Sequence, residues 1–195
     1  MNNKYLFNEK KAAQAAAYFL FHAGGRLPVL KLMKLLYLAE RKSFELFGIP
    51  LIGDSLVSMD NGPVLSITLN KINGMSRDSA IWEEWIADRE NHDLALRDAS
   101  RVRSADDLLA LSDSDLEALE EIWTGFGHWE KFRLCDYTHD NCPEWQDPEG
   151  SSTPISYDRL LTALGLKQES KIAIIEQLEL QAQLNQAFAH SYQYQ

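Results

Sequence analysis

The chain has 195 residues, with 19 Lys and Arg against 29 Asp and Glu, a formal net charge of −10, and 45% hydrophobic residues. That length suits one domain burying roughly 70% of the surface its unfolded chain exposes, which excludes intrinsic disorder and removes any need for disulfides or a structural metal. The charge disfavours generic nucleic-acid binding, which rests on Lys and Arg neutralising phosphates. Its two cysteines, Cys135 and Cys142, are too few for a secreted disulfide framework and ordinary for a reducing cytoplasm.

Lys10 and Lys11 ahead of an Ala-rich run superficially imitate a signal peptide. Gln14 interrupts that run and His22 closes it, well short of the ~20 apolar residues that span a bilayer. The segment therefore reads as an N-terminal helix over 9–23 of a cytoplasmic protein, ended by Gly24-Gly25. Pro28 opens the next helix. There Val29, Leu32, Met33, Leu36, Tyr37, Phe44 and Phe47 share a broad apolar face, with Lys31, Lys34, Arg41 and Lys42 opposite. Because Leu30, Leu35 and Leu38 fall near the basic side, this helix is predicted to be central, its lysines escaping along their stems or meeting carboxylates. Glu40 falls near the middle of the apolar face, so it is expected to be neutralised or to meet a cation or several donors.

Gly48 and Pro50 stop the helix, residues 54–59 read as extended, and Asp60-Asn61-Gly62-Pro63 makes a turn. A third helix is predicted over 64–72, and a Trp-rich one capped by Ser79 to about residue 90. Leu94, Leu96 and Val102 are placed on short strands, forming a small ribbon or pairing with the Asp54 segment. Ser112 and Asp115 suggest a capping box ahead of a helix broken at Gly125 and Gly127. Residues 128–137 read as helical and 147–153 as a polar loop. Ser156 caps a helix to Leu164, and 168–190 is the longest helical stretch, with a frayed tail over 191–195. The fold class is mainly α with a small β ribbon (α+β), one compact domain over 1–165 and a helical extension over 166–195 packed on it.

Chemical motifs are incomplete. His128, Cys135, His139 and Cys142 lie within fifteen residues, but their spacing does not match paired zinc ligands, so core cysteines and a hydrogen-bonded histidine are expected. His128-Trp129-Glu130 lacks the P-C-x-x-C of zinc deaminases. Gly48 to Gly53 has Asp54 where a phosphate loop needs Lys, and Gly125-Phe126-Gly127 lacks the third glycine of a dinucleotide fingerprint. Acid pairs such as Glu83-Glu84 and Glu120-Glu121 read as solvated faces, and His139 as a turn-pinning residue. No metal, cofactor or enzymatic activity is expected. Most of the five tryptophans are expected in the core, with one or two at a partner surface.

Lys31-Leu32-Met33-Lys34-Leu35-Leu36-Tyr37-Leu38-Ala39, Gly48-Ile49-Pro50-Leu51 and Asn61-Gly62-Pro63-Val64 follow one another in an order that resembles the Panacea domain, the SocA-like antitoxin domain of bacterial and phage toxin–antitoxin pairs. Leu111 to Leu116, Leu134 to Trp145 with Thr138-His139, and Pro154-Ile155-Ser156-Tyr157 fit the same pattern, so the resemblance covers about residues 10–165. Met33 and Glu40 stand where the family often has Gln.

The resemblance implies a non-enzymatic antitoxin that binds a cognate protein toxin encoded by a neighbouring gene, or alternatively an adaptor that delivers the toxin to a protease. Neither membrane nor direct nucleic-acid contact is expected. The expected mechanism is an acidic, aromatic-containing surface covering a basic groove of the toxin. The family-motif positions Tyr37, Glu40, Asp54, Asp60, Asn61, Pro63, His139 and Trp145 are the candidate contacts, with Asp54 and Asp60 as surface charges. A hydrolase using His139 with an acid is the competing chemistry.

Overall fold

The computed structural model describes residues 5–76 and 78–191. In chain order its elements are α1 (Glu9–His22), β1 (Arg26–Pro28), α2 (Val29–Phe47), β2 (Leu56–Met59), β3 (Gly62–Leu65), α3 (Ser66–Ile72), α4 (Ala80–Trp85), β4 (Asp93–Ala95), α5 (Asp113–Phe126), α6 (Lys131–Asn141), β5 (Thr153–Ile155), α7 (Tyr157–Ala163) and α8 (Gln168–Ser191).

Helix α2 is the hub. Leu32, Leu35, Leu36 and Ala39 are fully buried, and the helix packs against α1, α5, α6 and β3, so its apolar circumference is covered on several sides as expected. Close approach of α1 is possible because Ala12, Ala13, Ala15, Ala16 and Ala17 present no bulk and are wholly buried. A left-handed Gly48 ends α2, its N–H bonding to the Phe44 carbonyl.

Two small antiparallel sheets flank this core. One pairs β1 with β4, Leu27 opposite Leu94. The other has the order β3-β2-β5, with Leu56 between Leu65 and Ile155 and Ser58 between Pro63 and Thr153.

Several expectations change. The chain after the turn first forms β3 and only then α3, because Val64 and Leu65 pair with β2 and bury both faces. The Ser79 side chain makes no capping bond, and α4 ends at Trp85, where Ile86 turns extended and bridges to Leu96. The ribbon partner of residues 93–95 is β1, and Val102 lies outside any strand. Helix α6 begins at Lys131, three residues later than periodicity predicts, and runs to Asn141. At Ser112 the predicted box is complete: its hydroxyl receives the Asp115 N–H, and Asp115 accepts from the Ser112 N–H. The predicted fraying falls largely on 192–195, outside the described residues. Among the described residues no helix is long and apolar enough to cross a membrane.

Candidate partner-binding site

Lys34, Tyr37 and Arg41, at i, i+3 and i+7, form a stripe along α2. Tyr37 donates its hydroxyl to Glu144 Oε1 at 2.8 Å, and Arg41 Nε donates to the same oxygen at 3.0 Å. Glu144 is fully buried, so this pair clamps the segment after α6 against α2. Burial and the neighbouring Glu144 carboxylate hold the Tyr37 phenol well above its ordinary pKa, keeping it a donor.

One turn earlier, the wholly buried Lys34 reaches a carbonyl. Its Nζ donates to Pro63 O at 2.8 Å, and burial pushes its pKa down to about 8. The expectation that α2's lysines escape to solvent or meet carboxylates therefore fails for Lys34, whereas Lys42 does meet Glu45 and Glu121.

The turn that Lys34 holds is gripped from several sides. Trp145 Nε1 donates to Met59 O at 3.0 Å, and His139 stacks on the Trp145 indole with centroids 4.1 Å apart and planes 22° from parallel. The Gln146 N–H bonds to Ser58 Oγ, and the Gly150 N–H to Asp60 Oδ1. Gly62 has φ +99°, and a Cβ there would lie 2.6 Å from Thr138 Oγ1 and 2.9 Å from Lys34 Nζ. Only glycine allows α6 and the lysine to close on the turn this tightly.

The base of the hairpin is anchored by two buried carboxylates. Glu40 accepts from the Ile52 and Gly53 amides at 2.6 and 2.9 Å, and burial raises its pKa to about 7 against the pull of those donors. Asp54 accepts from the amides of Ser55, Ile67 and Thr68 and from the Thr68 hydroxyl, tying β2 to the start of α3. Burial raises its pKa despite these donors. Tyr157 closes the group by donating to the Asp54 carbonyl at 2.9 Å.

Above this framework lies a groove of about 540 Å³. Leu30 and Met33 of α2, Met59 and Val64 of the hairpin and Phe132 of α6 supply its apolar lining, with Asp60 and Asn61 on the hairpin side. Arg89, His92 and Lys131 line it elsewhere. A larger groove of about 750 Å³ sits beside β5, α7 and α8.

The structure thus separates the eight predicted contact residues. Asp60 and Asn61 are exposed at the groove, while His139 and Trp145 are half-buried beneath the turn. Tyr37, Glu40, Asp54 and Pro63 are buried, so their side chains are occupied within the fold. Asp54 is not a surface charge: it is wholly buried with four donors on its carboxylate.

Sequence reasoning passed over Lys34, Glu144, Arg89, Lys131 and Phe132. A lysine enclosed by Leu32, Met33, Leu35 and Leu36 was the available signal for Lys34, whereas nothing local marks the others. Cys135 and Cys142 are free and buried, and the described residues contain no group of three or more metal-competent side chains. Of the tryptophans, Trp82 and Trp85 are buried and Trp123, Trp129 and Trp145 are half-buried.

Neither a curated protein nor a solved structure matches the chain. The family model described as antitoxin SocA-like, Panacea domain, matches residues 32–146, a span that includes Lys34, the hairpin, α6 and Trp145. With more than half of its length inside that match, the chain belongs to the SocA-like antitoxin family with a Panacea domain.

Proposed function

We propose that this protein is a non-enzymatic antitoxin that neutralises a cognate protein toxin by binding it directly, using the hairpin groove as a contact surface. Family membership supplies the toxin–antitoxin setting. The observation that carries the reading is convergence: Lys34, Gly62, Pro63, Thr138, His139 and Trp145, all inside the matched span, meet at one turn whose outer side walls the groove.

A turn held from beneath presents its outer residues without conformational search, which lowers the ordering cost of association. The same convergence supports a binding rather than a catalytic role for His139, whose ring is stacked on Trp145 beside Gly62. The neighbouring groove at β5, α7 and α8 is lined largely by residues beyond the matched span.

The test is co-expression with the product of the adjacent open reading frame. Growth arrest by that product alone, relieved by this chain together with a stable co-purifying complex, is the expected result. Relief without a complex, accompanied by faster disappearance of the toxin, would replace neutralisation with delivery to a protease.

A further inference from the structure

The chain carries a net charge of −10, yet Arg89 and Lys131 line one groove beside Phe132. Among the described residues, the ion pairs of the fold leave out both Arg89 and Lys131. Arg89 is instead held by uncharged acceptors, Nε donating to the Asn91 carbonyl at 2.9 Å, Nη1 to Asn73 Oδ1 at 2.9 Å and Nη2 to His92 Nδ1 at 3.3 Å. Its position is thereby set with no carboxylate among the described residues in an ion pair with it.

The start of α2, which lines the same groove, has no acid in its first turn; its first N–H, on Val29, is taken by the His92 carbonyl at 2.8 Å, which ties His92 to the helix. Next to these charges the buried Met33 and Val64 form an apolar floor, Met59 is half-buried, and Phe132 is 63% exposed. Asp60 is the acid in the lining, and its Oδ1 accepts the Gly150 N–H.

We infer that the groove binds a segment of a partner protein that presents an acidic side chain beside a large apolar one. The apolar side chain seats against Phe132 and the two methionines, and the carboxylate faces Lys131 and Arg89. This polarity is opposite to an acidic surface covering a basic toxin: here the antitoxin supplies the cations. The adaptable thioethers suit a pocket that accepts apolar side chains of differing shape. This inference deepens the antitoxin reading and rests on it for the identity of the partner.

The first experiment uses a random linear peptide library displayed on phage, panned against the whole chain. Selected sequences are expected to carry Asp or Glu within a few positions of Leu, Phe or Met. A synthetic copy of the selected peptide should bind Lys131→Glu and Phe132→Ala at least about tenfold more weakly than the parent chain. Lys131 is the first residue of α6, where a carboxylate suits the helix dipole, and Phe132 is exposed, so both variants should keep the parent's thermal midpoint. Arg89→Gln supplies an independent probe.

Failure to select peptides, selection of peptides without acids, or binding indifferent to all three substitutions would overturn the inference. The same variants separate it from the antitoxin reading. Full neutralisation of the toxin by Lys131→Glu and Phe132→Ala overturns the groove assignment and leaves the antitoxin reading standing. Peptide binding lost in these variants, in a chain that rescues no toxin, supports the groove and removes the antitoxin reading.

Discussion

Lys34 and Pro63 are 29 positions apart in the chain, and the lysine ammonium donates to the proline carbonyl at 2.8 Å inside the core. The contact joins the central helix to the turn of the β2–β3 hairpin. Substituting Lys34→Met leaves the buried carbonyl without its donor, a cost of about 1–3 kcal/mol, but also removes the burial penalty on the ammonium, so the net loss in chemical denaturation should be smaller at pH 7 than above pH 8. The pH dependence carries a second signature. Burial lowers the folded pKa from 10.5 to about 8, so between those values the unfolded chain holds more protons and stability rises with pH. The methionine variant should lack that rise; identical slopes for the two proteins above pH 8 would contradict a buried Lys34.

Glu40 has the opposite sign. Its folded pKa is raised from 4.5 to about 7, so its protonated form is favoured by the fold and its contribution is lost as pH rises through about 7. The size of the effect is on the order of 3 kcal/mol. Glu40→Gln should flatten the decline between pH 5 and pH 8. At pH 5 the neutral Glu40 carboxyl still offers an oxygen to each of the Ile52 and Gly53 amides, whereas the nitrogen of a glutamine amide cannot accept, so the variant should be the less stable protein at pH 5. Urea midpoints across that range measure both effects.

The two aspartates of the hairpin should respond differently to substitution. Asp54→Ala exposes three backbone donors and a hydroxyl to a buried void and should cost at least about 3 kcal/mol. Asp60→Lys alters an exposed residue with one bond, to the Gly150 amide, and should change stability by less than about 1 kcal/mol. Thermal unfolding of the purified variants distinguishes them. Only Asp60 is suited to testing partner contact by charge reversal.

Gly62→Ala combines a positive φ with a Cβ forced against Thr138 and Lys34. A loss of about 3 kcal/mol is expected, with amide hydrogen exchange accelerating around residues 56–65 as the turn loosens. Unchanged exchange protection would show that α6 yields without disturbing the hairpin.

Much of the helical framework was legible because each helix carries its own signals. The apolar circumference of α2 marked it as central, the Ser112–Asp115 pair identified the start of α5, and Gly48 and Gly165 stand where α2 and α7 end. The order of family motifs likewise identifies the domain from sequence. Where periodicity misled, a short strand had intervened: Val64 and Leu65 suit a helix or a strand equally, and only pairing with Leu56 and Val57 decides between them.

Sequence alone determined the helical class, the acidic charge, a turn at Asp60-Asn61, though Gly62 and Pro63 of the expected four-residue turn belong to β3, and the family. Tertiary structure alone decided which of those residues a partner can reach. Burial turned Asp54 and Glu40 into internal acceptors and Lys34 into an internal donor, while segments far apart in the chain, the loop at Arg89 and the start of α6, brought Arg89 and Lys131 to the same groove. The reason is physical: periodicity and turn chemistry act over a few residues, whereas desolvation and charge pairing depend on neighbours supplied by distant segments.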